Sequence, residues 1–192
     1  MCCRYYFADQ ARKFISSMAA NGYELTESKP GDVRPNDPAW ILMGEEDRLC
    51  AEQMRFGLKS MKGGQLLINA RSETAYDKPS FSRAISSRRC IIACDSFYEW
   101  DHDRQLTTLT VPEHKVILLA GIYDLSDNEK RFSVLTREAN ASMKPIHDRM
   151  PLILAEDQTQ DWIRDPARTR EILLTEPPTL QVERDYEQLS LF

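Results

Sequence analysis

Short apolar-rich runs separated by polar and turn residues follow one another along most of this chain. These β-type runs mark strands over residues 1–7, 39–43, 49–56, 66–69, 89–93, 97–100, 106–111, 115–123, 132–136 and 152–154. One early segment has a different pattern. Ala8, Ala11, Phe14, Ile15 and Met18 fall on a single face, so residues 8–20 predict an amphipathic helix that Asn21-Gly22 stops. Residues 29–38 carry three prolines and predict a loop. Helical pieces are expected over 81–87 and 138–143, and another from Glu156-Asp157 through Trp162. Many short strands and few helices predict one α+β domain over residues 1–192. Its frame would be a curved, mainly antiparallel sheet or open barrel with a few flanking helices. The tail from about residue 166 is acidic, and Leu189, Leu191 and Phe192 at its end are expected to pack back.

Composition excludes a few classes. No run approaches the roughly 18 apolar residues that a membrane helix needs. The N-terminus carries charges early and lacks an apolar signal core. The five cysteines (Cys2, Cys3, Cys50, Cys90 and Cys94) are an odd number, which reads as free thiols in a reducing cytoplasm. Cys90 and Cys94 lack a second Cys or His pair at metal-binding spacing, so no metal and no cofactor is expected. A formal charge of −5 argues against bulk attraction to nucleic acid or membrane. The charge is uneven, however. Residues 54–90 hold eight basic residues (Arg55, Lys59, Lys62, Arg71, Lys78, Arg83, Arg88 and Arg89) against Glu73 and Asp77, a local +6. That segment reads either as a solvated face or as a phosphate track.

Four places could carry chemistry. Cys2, once Met1 is removed, would present an α-amine and a thiol on adjacent carbons. Both are nucleophilic near neutrality, with reference pKa values of about 8 and 8.5. An aldehyde condenses with the amine, and the thiol then closes a five-membered thiazolidine. A Cys at position 2 can also be an ordinary edge-strand residue. Glu99, in Ser96-Phe97-Tyr98-Glu99-Trp100, shares a strand face with Phe97, and a carboxyl beside an aromatic can serve as an acid or base. Alone it also reads as a strand-edge charge. His147 lies in Ile146-His147-Asp148-Arg149 between Pro145 and Pro151, a stiff loop bearing a proton shuttle and a cation. Asn69-Ala70-Arg71 ends an apolar strand; Asn69 could orient a substrate and Arg71 hold a phosphate, or the pair could be a turn with a surface charge.

In order along the chain these segments read Met1-Cys2-Cys3-Arg4, Val33-Arg34-Pro35, Phe56-Gly57-Leu58, Asn69-Ala70-Arg71-Ser72-Glu73-Thr74, Arg89-Cys90-Ile91-Ile92 leading to Phe97-Tyr98-Glu99-Trp100, Ala120-Gly121-Ile122, Thr136, and Ile146 to Pro151. The order resembles the SOS response-associated peptidase (SRAP) family over roughly residues 1–165. The resemblance implies an abasic-site processing protein that binds single-stranded DNA. Cys2, after autoproteolytic loss of Met1, would form a thiazolidine crosslink with the ring-opened sugar aldehyde, with peptidase and lyase-type activity. It implies that Asn69 positions Cys2, that Glu99 is the acid/base, and that His147 bonds the sugar or phosphate with Thr136 nearby. Arg4, Arg71 and Arg149 would clamp phosphates, and Phe56 and Trp100 would stack beside the lesion. It implies a cytoplasmic monomer, nucleoid-associated when on DNA, with no membrane and no obligate protein partner. Cys3 departs from the family's usual Gly, Phe56 from its Trp, Lys59-Ser60-Met61 from a Pro-x-Trp, and Ser96 from a Gly. Two other readings stay open: an N-terminal-nucleophile peptidase or amidohydrolase, and a non-covalent binder of single-stranded or modified DNA.

Overall fold

A computed structural model describes residues 2–20, 25, 29–60, 63–126 and 128–184. The Asn21-Gly22 stop and the apolar end with Leu189, Leu191 and Phe192 lie outside the described residues, as do Met1 and Lys62. The architecture is α+β and strand-rich, with two main sheets. In chain order the elements are β1 (Arg4–Phe7), α1 (Asp9–Met18), β2 (Gly31–Val33), β3 (Pro38–Glu45), β4 (Arg48–Phe56), β5 (Leu58–Lys59), β6 (Leu66–Leu67) and β7 (Asn69–Arg71). A 3-10 turn (Ser72–Thr74) follows, then α2 (Ser82–Ser87), β8 (Arg89–Cys94), β9 (Ser96–Trp100), β10 (Leu106–Thr110), β11 (Ile117–Ser126) and β12 (Glu129–Glu138). The last are β13 (Arg149–Pro151), β14 (Ile153–Leu154), α3 (Thr159–Arg164), α4 (Pro166–Ile172) and β15 (Gln181–Arg184).

The first sheet has the order β15-β10-β9-β1-β2 and is antiparallel throughout. The second runs β13-β12-β4-β3-β8-β11-β14, with β7 added beside β12. Because β11 also pairs with β12, the strands β12-β4-β3-β8-β11 close into a ring. Closure leaves these five strands without a free edge, and Ile41, Leu42, Met54, Phe56, Ile91 and Phe132, which they carry, are all nearly inaccessible. Gly121 faces Cys90 across the β8–β11 ladder. A Cβ there would overlap Ile92 Cδ1 and come within 2.9 Å of Cys90 Sγ, so any larger residue requires those two side chains to shift. Helix α1 buries Ala11 and Ile15. Its start is fixed by Asp95, whose carboxylate accepts from the backbone N–H of Ala8 (2.7 Å), Gln10 (3.1 Å) and Ala11 (3.3 Å). That contact pins the β1–α1 junction to the turn between β8 and β9. Among the described residues no helix is long and apolar enough to cross a membrane.

Several elements differ from the sequence expectation. The loop at 29–38 contains β2, because its prolines flank Gly31-Asp32-Val33 and leave those residues free to pair with β1. The helix expected over 138–143 is absent. β12 runs on to Glu138, and turns follow, started by Asn140 Oδ1 accepting from Ser142 N (3.1 Å) and Met143 N (3.2 Å). The run at 66–69 splits, with β6 pairing β5 and β7 pairing β12. Helix α4 carries the Asp-Pro start signal at residues 165 and 166. Asp165 Oδ1 accepts from Ala167 N at 2.8 Å and Arg168 N at 3.2 Å.

Candidate active site

The register of β1 on β9 places Arg4 opposite Tyr98 and Tyr5 opposite Phe97. Carried one residue further, it sets Cys3 beside Glu99, and the chain leaves the ladder there. Cys2 turns inward and is 1% exposed, with Sγ 4.0 Å from the Arg4 carbonyl. The Cys2 carbonyl accepts a hydrogen bond from Asn69 Nδ2 at 3.1 Å. Asn69 opens β7, which runs parallel to β12 in the second sheet. One amide therefore ties the N-terminus on the first sheet to the second. Along β9 the expected alternation holds: Phe97 and Glu99 point inward, and Trp100 is exposed. Glu99 is 4% exposed, and its Oε1 accepts from the Trp100 N–H at 3.4 Å. Burial pushes the Cys2 thiol far above its ordinary value, and the charge of Glu99 adds to the shift. Burial and Glu99 push the Cys3 thiol up as well.

A second cluster hangs from the same strand, β7. Thr136 on β12 is in register with Arg71 on one side and Pro151 of β13 on the other. Thr136 is buried, and its Oγ1 donates to the Ala70 carbonyl at 3.5 Å. Arg149 makes a two-pronged pair with Glu73 (2.7 and 2.8 Å) and donates to the Thr136 carbonyl at 2.6 Å. These bonds hold the Glu73 carboxyl below its usual range. They also lash the 146–151 segment to the 69–73 segment. His147 is half-buried, and its Nδ1 accepts from the Arg149 N–H at 2.9 Å. That bond leaves Nε2 as the protonated nitrogen of the neutral ring, available as a donor.

Other sequence candidates fall elsewhere. Phe56 is buried in the ring core, stacked on Phe132 at 5.0 Å and 8°, and 6.0 Å from Tyr5. No base can reach it in this conformation; among the proposed stacking residues only Trp100 offers an open face. Arg4 donates through Nε to Asp32 at 2.9 Å and lies over the Tyr98 ring at 4.6 Å. Arg71 is exposed, with no ion pair among the described residues. The basic stretch at 54–90 does not form one track. Arg89 is buried, Arg55 pairs with Glu129 (2.5 Å) and Arg88 with Asp124 (3.0 Å), which leaves Lys59, Arg71, Lys78 and Arg83 exposed among the described residues. Among the described residues no three His, Cys, Asp or Glu side chains stand together as metal ligands.

Residue reasoning also passed over Thr107 and Asp95. Thr107 faces Glu99 directly across the β9–β10 ladder. The alternation of Leu106 to Thr110 against Phe97 to Trp100 was the signal that could have paired them. Asp95 holds the start of α1; its place between two strand runs was the only hint.

The chain matches the family described as SOS response associated peptidase (SRAP) over residues 1–186. It is 37% identical over 146 residues to the abasic site processing protein YoaM of Bacillus subtilis, covering 69% of this chain and 64% of that protein. It is 33% identical over 161 residues to the abasic site processing protein YobE of the same organism, covering 74% of each. A more distant match is the abasic site processing protein HMCES of Xenopus tropicalis, 25% identical over 123 residues, 50% of this chain and 37% of that one. The chain thus spans just under two thirds of the length of YoaM. A crystal structure of a Bordetella bronchiseptica protein shares the fold with a TM-score of 0.79 at 23% identity, over 95% of this chain and 99% of that one.

Proposed function

The chain belongs to the SOS response associated peptidase (SRAP) family, and on that premise we propose that it processes abasic sites in single-stranded DNA through a covalent link to Cys2. The observation that carries this reading is the convergence at Cys2: Asn69 fixes its carbonyl at 3.1 Å while the buried Glu99 bears on its thiol. A residue held by its own backbone carbonyl keeps its amine and thiol in place after Met1 is gone. The relatives named as abasic site processing proteins support the same reading.

Hydrolysis of the Met1–Cys2 bond consumes one water, releases methionine and frees the Cys2 amine. The ring-opened abasic sugar presents an aldehyde at C1′. The neutral amine attacks that carbon and forms a carbinolamine, and Glu99 gives a proton to the departing hydroxyl. Water leaves, and a protonated imine remains. The thiol is held protonated by burial, so it is a poor nucleophile at rest. The imine cation now beside it favours the thiolate, and the thiol proton passes to the Glu99 carboxylate. Sulfur then bonds to C1′ while the C=N pair moves to nitrogen, closing the thiazolidine. The link costs one water in total and needs no oxidant or cofactor. The order follows from the electrostatics: imine first, sulfur second.

The remaining groups hold the DNA. Arg71 is open and meets a backbone phosphate. Arg4 and Arg149 are engaged with Asp32 and Glu73, so they brace the site and reach phosphate only by exchanging that carboxylate. His147 donates from Nε2 to the sugar hydroxyl or a phosphate. Trp100 offers a face on which a neighbouring base stacks. The test is incubation with a single-stranded oligonucleotide carrying one abasic site, followed by denaturing electrophoresis. A heat-stable adduct is expected, lost in Cys2→Ala and kept in Cys3→Ala. Salt-sensitive binding unchanged by Cys2→Ala, with no adduct, would replace this reading with non-covalent recognition.

A further inference from the structure

Thr107 is fully buried, yet its Oγ1 has no hydrogen-bond partner among the described residues. Buried hydroxyls are normally satisfied, so an idle one calls for a reason. The ladder supplies one, since Thr107 and Glu99 are direct cross-strand partners on β10 and β9. Both side chains are buried, on the face that also carries Phe97 and Leu109. Cβ atoms of such a pair stand about 4.5–5.5 Å apart. A turn about the Cα–Cβ bond of Thr107 therefore brings its hydroxyl to the Glu99 carboxyl.

We propose that Thr107 is a positioning residue that donates a hydrogen bond to the Glu99 carboxylate and so sets when Glu99 holds its proton. As the acid loses its proton to the leaving hydroxyl, the new carboxylate gains a donor. As it regains the proton from the Cys2 thiol, the hydroxyl relaxes to its idle position. Among the described residues, the Cys2 and Cys3 thiols are ionisable groups that bear on Glu99. Arg184 of β15 is in register with Thr107 from the far side, but it is exposed and lies 3.8 Å from Asp101. The role in the reaction rests on the function proposed above; the pairing itself does not.

The experiment has two arms. Single-turnover crosslinking to abasic single-stranded DNA is measured for the parent, Thr107→Val, Thr107→Ser and each in a Glu99→Gln background. Thr107→Val should slow the reaction about tenfold, the size of one hydrogen bond to a charged group. Thr107→Ser should restore most of the rate, and the deficit should vanish beside Glu99→Gln. An unchanged rate in Thr107→Val, or an equal deficit beside Glu99→Gln, overturns the proposal. In the second arm the Glu99 carboxyl is titrated by carbon-13 NMR, its signal assigned by its loss in Glu99→Gln. Removing a donor to the charged form should move the midpoint upward in Thr107→Val. An unshifted midpoint overturns the pairing whatever the rates. If the parent forms no adduct the proposed function fails, and the titration still decides the pairing.

Discussion

Arg89 and Glu99 are both charged and both nearly inaccessible, at 3% and 4% exposure, yet the two corners of the molecule treat them differently. Around Arg89 the structure has closed. Its guanidinium donates to the carbonyls of Trp162 (2.6 Å), Ser86 (2.8 Å), Ile85 (3.0 Å) and Ile163 (3.0 Å), joining β8 to α2 and α3. Beside Glu99 the buried Thr107 hydroxyl has no hydrogen-bond partner among the described residues. The carboxyl accepts a long bond from the next residue, faces the idle Thr107 hydroxyl and bears on the buried Cys2 thiol. Asn69, which holds Cys2, has a buried Oδ1 with no partner among the described residues. Burial of a charge is thus no mark of a site by itself. The mark is spare hydrogen-bonding capacity left around it, which a substrate can use.

The comparison breaks most sharply at Glu99. Glu99→Gln keeps shape and burial but removes the proton carrier. It should slow adduct formation by roughly 10²–10⁴, as loss of an acid–base group does. Its unfolding free energy should stay within about 1 kcal/mol of the parent, the scale of one neutral hydrogen bond. Equal crosslinking rates in the two proteins would remove Glu99 from the chemistry. Arg89→Ala should do the reverse. It strands four carbonyls and should cost at least about 3 kcal/mol in urea unfolding, since each buried acceptor left unsatisfied costs about 1–3 kcal/mol. Crosslinking per folded molecule should stay the same; a loss there would mean that the brace also shapes the site.

Buried thiols sharpen the contrast more gently. Cys90 and Cys94 have no acceptor network like that of Arg89, and burial pushes both thiols upward. A thiol raised on folding contributes stability that is whole below its unfolded value of about 8.5 and is lost as pH rises toward the folded one. Stability should therefore fall above that pH, by up to about 1.4 kcal/mol per pH unit for each buried thiol. Cys90→Ala should flatten the slope by one thiol's share. A level alkaline profile would show that these thiols already meet water.

The inward face of β9 was legible from alternation alone, because Phe97 and Glu99 sit on a regular half-buried strand. The link from Asn69 to Cys2 was not, since no local period connects residues so far apart; it emerged only from the order of motifs. Charge counting could not decide between a solvated face and a phosphate track over residues 54–90 for a related reason. A sum of charges cannot see that Arg89 is turned into the protein or that Arg55 and Arg88 are already paired. Phe56 misled as well, because an aromatic before glycine suits a stacking platform and a ring core equally. Strand β2 was hidden by its flanking prolines, which bound a strand as readily as they break one.

The most direct test of the central claim is the intact-protein mass before and after exposure to single-stranded DNA with one abasic site. The account predicts a chain shorter by its first methionine, then a species heavier by the oligonucleotide less one water, absent in Cys2→Ala. A processed chain whose mass does not change with the DNA, or an adduct that survives Cys2→Ala, would contradict it.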